Sequence, residues 1–110
     1  MNPDPILRVA LPVPIDGGFD YLAPTASADI PLVPGLRVKV PFGTSTRCGI
    51  LVDLVRDSAV EPARLKRALE ILDREPLLSA GDLELLEWAS RYYRHPLGDV
   101  LFGALPTRLR

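Results

Sequence analysis

The sequence has few of the side chains that perform chemistry. One cysteine and one histidine are present, which excludes an internal disulfide and a cysteine-based metal site. No metal and no cofactor is expected. A G-x-x-x-x-G-K phosphate loop is missing, so nucleotide hydrolysis within this chain is not expected. An excess of positive charge is missing too. Thirteen Lys and Arg against fourteen Asp and Glu leave a formal net charge of −1, whereas a protein that coats duplex phosphates carries a strong basic excess. Any contact with nucleic acid must therefore be local and built from a few placed groups. No stretch approaches the roughly 18 apolar residues of a membrane span, and no basic segment followed by an apolar run opens the chain. No membrane partner is expected, and a cytoplasmic setting follows.

The remaining reactive groups have modest roles open to them. His95 precedes Pro96 at an expected helix end, where its charge suits the helix dipole and its ring can bond the last carbonyls. Contact with a ligand is the other reading. Cys48 opens an apolar run, which favours a small buried hydrophobe over a reactive thiol.

Apolar residues make up 47% of the 110 residues and charged ones 25%, values that support one folded domain over residues 1–110. A chain of this size buries about 60 to 70% of its unfolded surface, enough for a core without staples. Twelve prolines are about double the average usage of roughly 5% and, with ordinary hydrophobicity, imply short strands between rigid turns. The expected class is α+β: a small curved antiparallel sheet or partial barrel over about residues 1–75, then a short helical segment over about 76–110.

Local patterns divide the chain. Ile6–Leu11 reads as a strand stopped by Pro12-Val13-Pro14, Asp16-Gly17-Gly18 as a turn, and Phe19–Leu22 as a second strand. Thr25–Pro34 reads as a loop. Pro34-Gly35 launches Leu36–Val40, with Leu36, Val38 and Val40 on one face and Arg37 and Lys39 on the other. Pro41–Ser45 reads as a loop and Cys48–Val55 as a long strand. Residues 62–73 fit a helix by the spacing of Leu65, Ala68, Leu69 and Leu72, and an edge strand equally well over Ala68–Leu72. Ser79 and Asp82 form a capping box for a helix carrying Leu85, Trp88, Ala89 and Tyr92 at helical spacing, stopped by Pro96. Gly98-Asp99 offers an N-cap for a short helix over Val100–Ala104, ended by Pro106. Thr107–Arg110 has the look of a chain about to continue, so an excised domain is expected.

Within these elements the run Gly18-Phe19-Asp20-Tyr21 is unusual. Aspartate is disfavoured inside strands, and a carboxylate there needs water, a cation or a ligand. An edge strand with Asp20 solvated or paired to Arg or Lys is the ordinary explanation. Phe19 and Tyr21 share the opposite face, where core packing is commoner than a stacking platform. Basic residues are scattered in small groups: Arg37 with Lys39, Arg64 with Lys66 and Arg67, and Arg91 with Arg94. Each group suits a solvated face, and together they can guide one DNA end into a site.

Several runs also carry a family resemblance. Val9-Ala10-Leu11-Pro12-Val13-Pro14 followed by Phe19-Asp20-Tyr21-Leu22, then Pro34–Gly43, Gly49-Ile50-Leu51-Val52 and Tyr92–Leu101, resemble the N-terminal 3′-end DNA-binding domain of the bacterial primosomal replication-restart helicase. The runs stand in the family's order and cover nearly the whole chain. The resemblance implies sequence-independent binding of a DNA 3′ end at stalled forks, with no catalysis in this chain. It implies DNA-binding roles for Phe19, Asp20, Tyr21, Gly43 and Lys66. Its implied partners are single-stranded or forked DNA with a free 3′ end, the remaining helicase domains, and other primosome and single-strand-binding proteins. The alternative is a structural or protein-docking module without direct contact to the DNA end.

Overall fold

Apolar runs in the first half of the chain form strands, some buried on one face and some on both. In the computed structural model, residues 6–13, 18–24, 31–56, 60 and 64–105 are described. The strands are β1 (Ile6–Ala10), β2 (Phe19–Leu22), β3 (Arg37–Phe42), β4 (Ser45–Val55) and β5 (Glu70–Ile71), and two helices follow, α1 (Ala80–Tyr93) and α2 (Leu97–Ala104). The α+β expectation is met by a five-stranded antiparallel sheet of order β2-β1-β4-β3-β5. The Asp16-Gly17 turn, Pro14, the loop from Thr25 to Ile30, residues 61–63, the Pro106 stop and Thr107–Arg110 lie outside the described residues.

The two halves of the core lie on opposite faces of the sheet. Leu7, Val9, Leu36, Val38, Val40 and Leu51 are fully buried in an inner layer that also holds Tyr21 and Ile71. Ala10 and Ile50 face the other way and pack against Leu83, Leu101 and Phe102 of the helices. Leu36, Val38 and Val40 share the buried face as their alternation predicts.

Residues 64–72 resolve the ambiguity over 62–73 in favour of the edge strand. The Leu22 amide donates to the Lys66 carbonyl and the Ala68 amide to the Leu22 carbonyl, while the Leu69 and Leu72 amides donate to the Lys39 and Arg37 carbonyls. This segment therefore bonds to β2 at one edge of the sheet and to β3 at the other, giving a partly closed barrel. Helical spacing there is overridden because open strand edges satisfy the backbone donors better than an isolated short helix.

The Arg37–Asp73 ion pair fastens the end of this segment. The Arg37 side chain meets Asp73 at 2.8 Å, and the Arg37 amide also donates to Asp73 at 3.0 Å. Burial alone would raise the Asp73 carboxyl, but hydrogen bonds from the Arg37 side chain and backbone outweigh it and hold the group below its ordinary value. A carboxyl depressed on folding contributes stability above its unfolded pKa, about 3.9, and that contribution is lost as pH falls through the lower folded value. Asp73→Asn is expected to lower the thermal midpoint near pH 7 while flattening the loss of stability below about pH 4. Thermal unfolding of both proteins across this range checks it; parallel curves would refute it.

Several details differ from the sequence expectation. β3 runs through Pro41 and Phe42, so the loop shrinks to Gly43-Thr44 between the paired residues Phe42 and Ser45. Pro41 is tolerated because β5 pairs only with Val38 and Lys39, which leaves that side of Pro41 without a ladder. α2 begins at Leu97 with Pro96 as its N-cap, so Asp99 lies inside the first turn and favours it through the helix dipole. The Ser79–Asp82 capping box forms as expected, but the stripe of Leu85, Trp88 and Tyr92 faces solvent. α1 docks instead through Leu83, Leu86 and Ser90. Both stripes are helically spaced, and only what α1 packs against, α2 foremost, selects between them.

Candidate nucleic-acid interface

The cross-strand pairing of β1 and β2 builds the centre of the site. Leu7 stands opposite Tyr21, Arg8 opposite Asp20 and Val9 opposite Phe19. Directly opposed residues in an antiparallel ladder share a face. Leu7, Val9 and Tyr21 therefore enter the inner core, and Arg8 and Asp20 meet on the other side. The Arg8 Nε donates to Asp20 Oδ1 at 3.0 Å, and Nη2 to Oδ2 at 3.4 Å. The Asp20 side chain is only 8% exposed, the Arg8 side chain 39%. Asp20 is thus a paired carboxylate on an edge strand, and its hydrogen bond and charge hold the Arg8 guanidinium firmly protonated.

The backbone around this pair is specialised. The β1–β4 register slips between Arg8 and Val9, which stand opposite Asp53 and Leu51, leaving Val52 as an extra residue. Such a bulge re-aims side chains. Leu51 stays in the inner layer with Val9 while Asp53 comes to the side of Arg8 and adds to its stabilisation as a cation. Gly18 makes room for Arg8: a Cβ built there would stand 2.5 Å from Arg8 Cγ. Any larger residue would displace the root of that side chain.

A groove of about 520 Å³ opens over this framework. Phe19, Asp20, Tyr21, Gly43 and Lys66, all singled out in the sequence, line it together. Arg8, Pro41, Phe42, Val60 and Arg64 complete the lining. The aromatics have different duties. Tyr21 is buried and its hydroxyl donates to the Pro41 carbonyl at 2.9 Å, so it fixes the β3–β4 hairpin rather than offering a ring face. Phe19 meets Phe42 edge-to-face with centroids 5.4 Å apart, an apolar wall only partly covered by the core. Gly43 has φ +61, the sign a two-residue II′ hairpin demands at its first position. Nothing lies within 4 Å of where its Cβ would be, so the groove is open above it. Lys66 is exposed, its carbonyl held by Leu22.

Not every basic residue joins this groove. Arg37 is taken by Asp73, and Arg67 donates to the Ala23 carbonyl. Arg91 and Arg94 line a neighbouring concavity. His95 acts through its backbone: its amide donates to the Ser90 carbonyl, and its own carbonyl accepts from the Ser90 hydroxyl. The Cys48 thiol is pushed up by burial, as a packed hydrophobe would be. Among the described residues no group of three or more His, Cys, Asp or Glu could hold a metal ion. No helix there is long and apolar enough to cross a membrane. The residues that sequence reasoning missed are Arg8 and Phe42, while Arg64 joins the groove from the basic group it forms with Lys66. A signal existed for Arg8, the one charged residue inside an apolar strand, whose match to Asp20 appears once the two strands are aligned.

Comparison with known proteins adds an independent line. The family described as 3′DNA-binding domain (3′BD) matches residues 8–106. The chain is 47% identical over 105 residues to the replication restart protein PriA of Haemophilus influenzae, covering 96% of this chain and 14% of that protein. Over 104 residues it is 34% identical to the protein of that name from Buchnera aphidicola, covering 94% and 14%. It is 32% identical over 110 residues to that of Treponema pallidum, covering 96% and 17%. The chain thus spans a small fraction of the length of the relatives it matches.

Proposed function

Because the chain belongs to the 3′DNA-binding domain family, we propose that the groove around Asp20 receives the 3′-terminal nucleotide of a DNA strand, whatever its base, at a stalled replication fork. The observation that carries this reading is the convergence of Phe19, Asp20, Gly43 and Lys66 on one groove whose carboxylate is already oriented by Arg8. An ionised carboxylate accepts hydrogen bonds at both oxygens, and Arg8 fixes how this one faces a donor from the ligand. The terminal 3′-hydroxyl is such a donor. An interior nucleotide carries a phosphate in that place, which cannot donate and is repelled.

The other groups serve the rest of the nucleotide. The Phe19–Phe42 wall packs against a base without reading its edge, since every base has a π-face. The open space over Gly43 admits the base close to the backbone. Lys66 and Arg64 neutralise the last phosphate, a contribution that weakens as salt rises. On this reading the chain performs no catalysis. It serves the remaining domains of a longer cytoplasmic helicase, alongside other primosome and single-strand-binding proteins.

The test is a fluorescence-anisotropy titration of one oligonucleotide ending in a 3′-hydroxyl or a 3′-phosphate. The hydroxyl end is expected to bind about tenfold tighter or more, the value of one charge-assisted hydrogen bond. Equal affinities would overturn the role of Asp20. A second reading, a docking module without DNA-end contact, has one observation in its favour. Trp88 and Tyr92 stack at 4.9 Å on the exposed face of α1, and exposed aromatic clusters mark protein contacts. That reading expects no preference between the two ends.

A further inference from the structure

Beside the groove lies a larger concavity of about 880 Å³, and Arg8 and Gly18 line both. Its far side is formed by the C-terminal turn of α1, which contributes Arg91 and Arg94. Among the described residues neither arginine has a carboxylate within ion-pair distance. Arg94 has a further peculiarity. It is the C-cap of α1 with φ 56, the one described non-glycine residue with positive φ. Glycine is the usual residue there, because an L side chain is disfavoured at positive φ. Strain of this kind is found where a side chain has a task.

We infer that this concavity holds the phosphodiester backbone of the nucleotides immediately 5′ to the terminal one, with Arg91 and Arg94 as its phosphate ligands. The inference rests on the proposed 3′-end groove. A strand whose last nucleotide fills the groove leaves it across the wall that both spaces share, and the next spaces it meets are flanked by these arginines. Guanidinium groups bind phosphate oxygens in forked pairs. Among the described residues no aromatic lines the concavity, so it offers no platform for stacking and suits backbone rather than bases. Asp53 and Glu87 also line it. Asp53 acts on Arg8, and Glu87 sits one helical turn before Arg91, so the positive character is concentrated at the end of α1. Phosphates are confined to that end, which gives the strand a defined path.

The test uses the full 110-residue chain and the double variant Arg91→Ala, Arg94→Gly; glycine suits the left-handed cap, so folding is preserved. Both proteins are titrated with a dinucleotide and with a longer single strand, each with a free 3′-hydroxyl. The variant is expected to bind the dinucleotide as the parent does and the longer strand about tenfold more weakly. Its salt dependence with the longer strand should be shallower by roughly two counterions. Equal loss on both lengths, or no loss on either, would overturn the inference. Loss confined to a primer–template with a recessed 3′ end would also overturn it, because the template strand would then be the ligand. Failure of the end-binding reading looks different: the parent would not distinguish 3′-hydroxyl from 3′-phosphate.

Discussion

Asp20→Asn is expected to reduce affinity for a 3′-hydroxyl end by about tenfold to a hundredfold, the loss of roughly 1.5 to 3 kcal/mol carried by a hydrogen bond to a charged group. The same substitution should raise affinity for a 3′-phosphate end. Asparagine keeps the shape of the side chain but not its charge, so repulsion of the phosphate disappears. Arg8, released from its carboxylate partner, becomes available to the phosphate. Preference between the two ends is therefore expected to narrow sharply or invert. Anisotropy titrations of parent and variant with both oligonucleotides measure this. An equal loss on both ends would show that Asp20 holds the groove together rather than reading the terminus.

The effect on folding should be small. The Arg8 side chain is 39% exposed, and ion pairs with one partner in solvent contribute about 0 to 1 kcal/mol. The thermal midpoint of Asp20→Asn should therefore fall by only a few degrees. The Asp20–Arg8 pair also refines the physical account of end selection. A lone carboxylate would repel any phosphate at long range, but the pair as a whole is neutral. Discrimination must then come from which atom faces the terminal oxygen, and so from the orientation Arg8 imposes.

Leu51→Ala should have the largest effect on stability. Leu51 is fully buried in the inner layer, on the strand flanked by β1 and β3. Removing its side chain leaves a cavity among Leu7, Val9, Leu36 and Val38, with a cost of about 2 to 5 kcal/mol. Domains of this size have total stabilities of roughly 5 to 15 kcal/mol, so a drop in thermal midpoint of about 10 °C or more is expected. Chemical denaturation gives the same quantity directly. A loss below about 1 kcal/mol would mean that the inner layer repacks and that its close packing matters less than its geometry suggests.

Local features were legible in the residues themselves. Phe19–Leu22 is a strand with the expected bounds, and the Ser79–Asp82 box starts α1 where the pattern placed it. Alternation placed Leu36, Val38 and Val40 on one face, and that face lies in the core. These succeed because each is decided within a few residues, by hydrogen bonds to neighbouring backbone or by the two-residue period of a strand. The unusual acid in Phe19-Asp20-Tyr21 was also visible, since a carboxylate in a strand demands a reason.

Contacts between distant segments were not legible. The helical spacing of Leu85, Trp88 and Tyr92 marks one stripe, yet Leu83 and Ser90 are the buried residues of α1, because a helix with more than one candidate face is oriented only by what it packs against. Residues 62–73 fitted two structures until the open edges of β2 and β3 claimed their backbone groups. Arg8 is one cation in an apolar strand, and its pairing with Asp20 depends on register across twelve residues of chain. The sequence by itself therefore determined the elements and the chemical inventory: an acid between two aromatics, a glycine in a hairpin and a few cations. Tertiary structure alone decided that these lie in one groove, that Arg8 orients the acid, and that Arg91 and Arg94 stand where a strand would leave. The physical reason is range. Propensity and periodicity act over a turn or a strand, whereas a binding site is set by the register of paired strands and the faces that remain open once the core has formed.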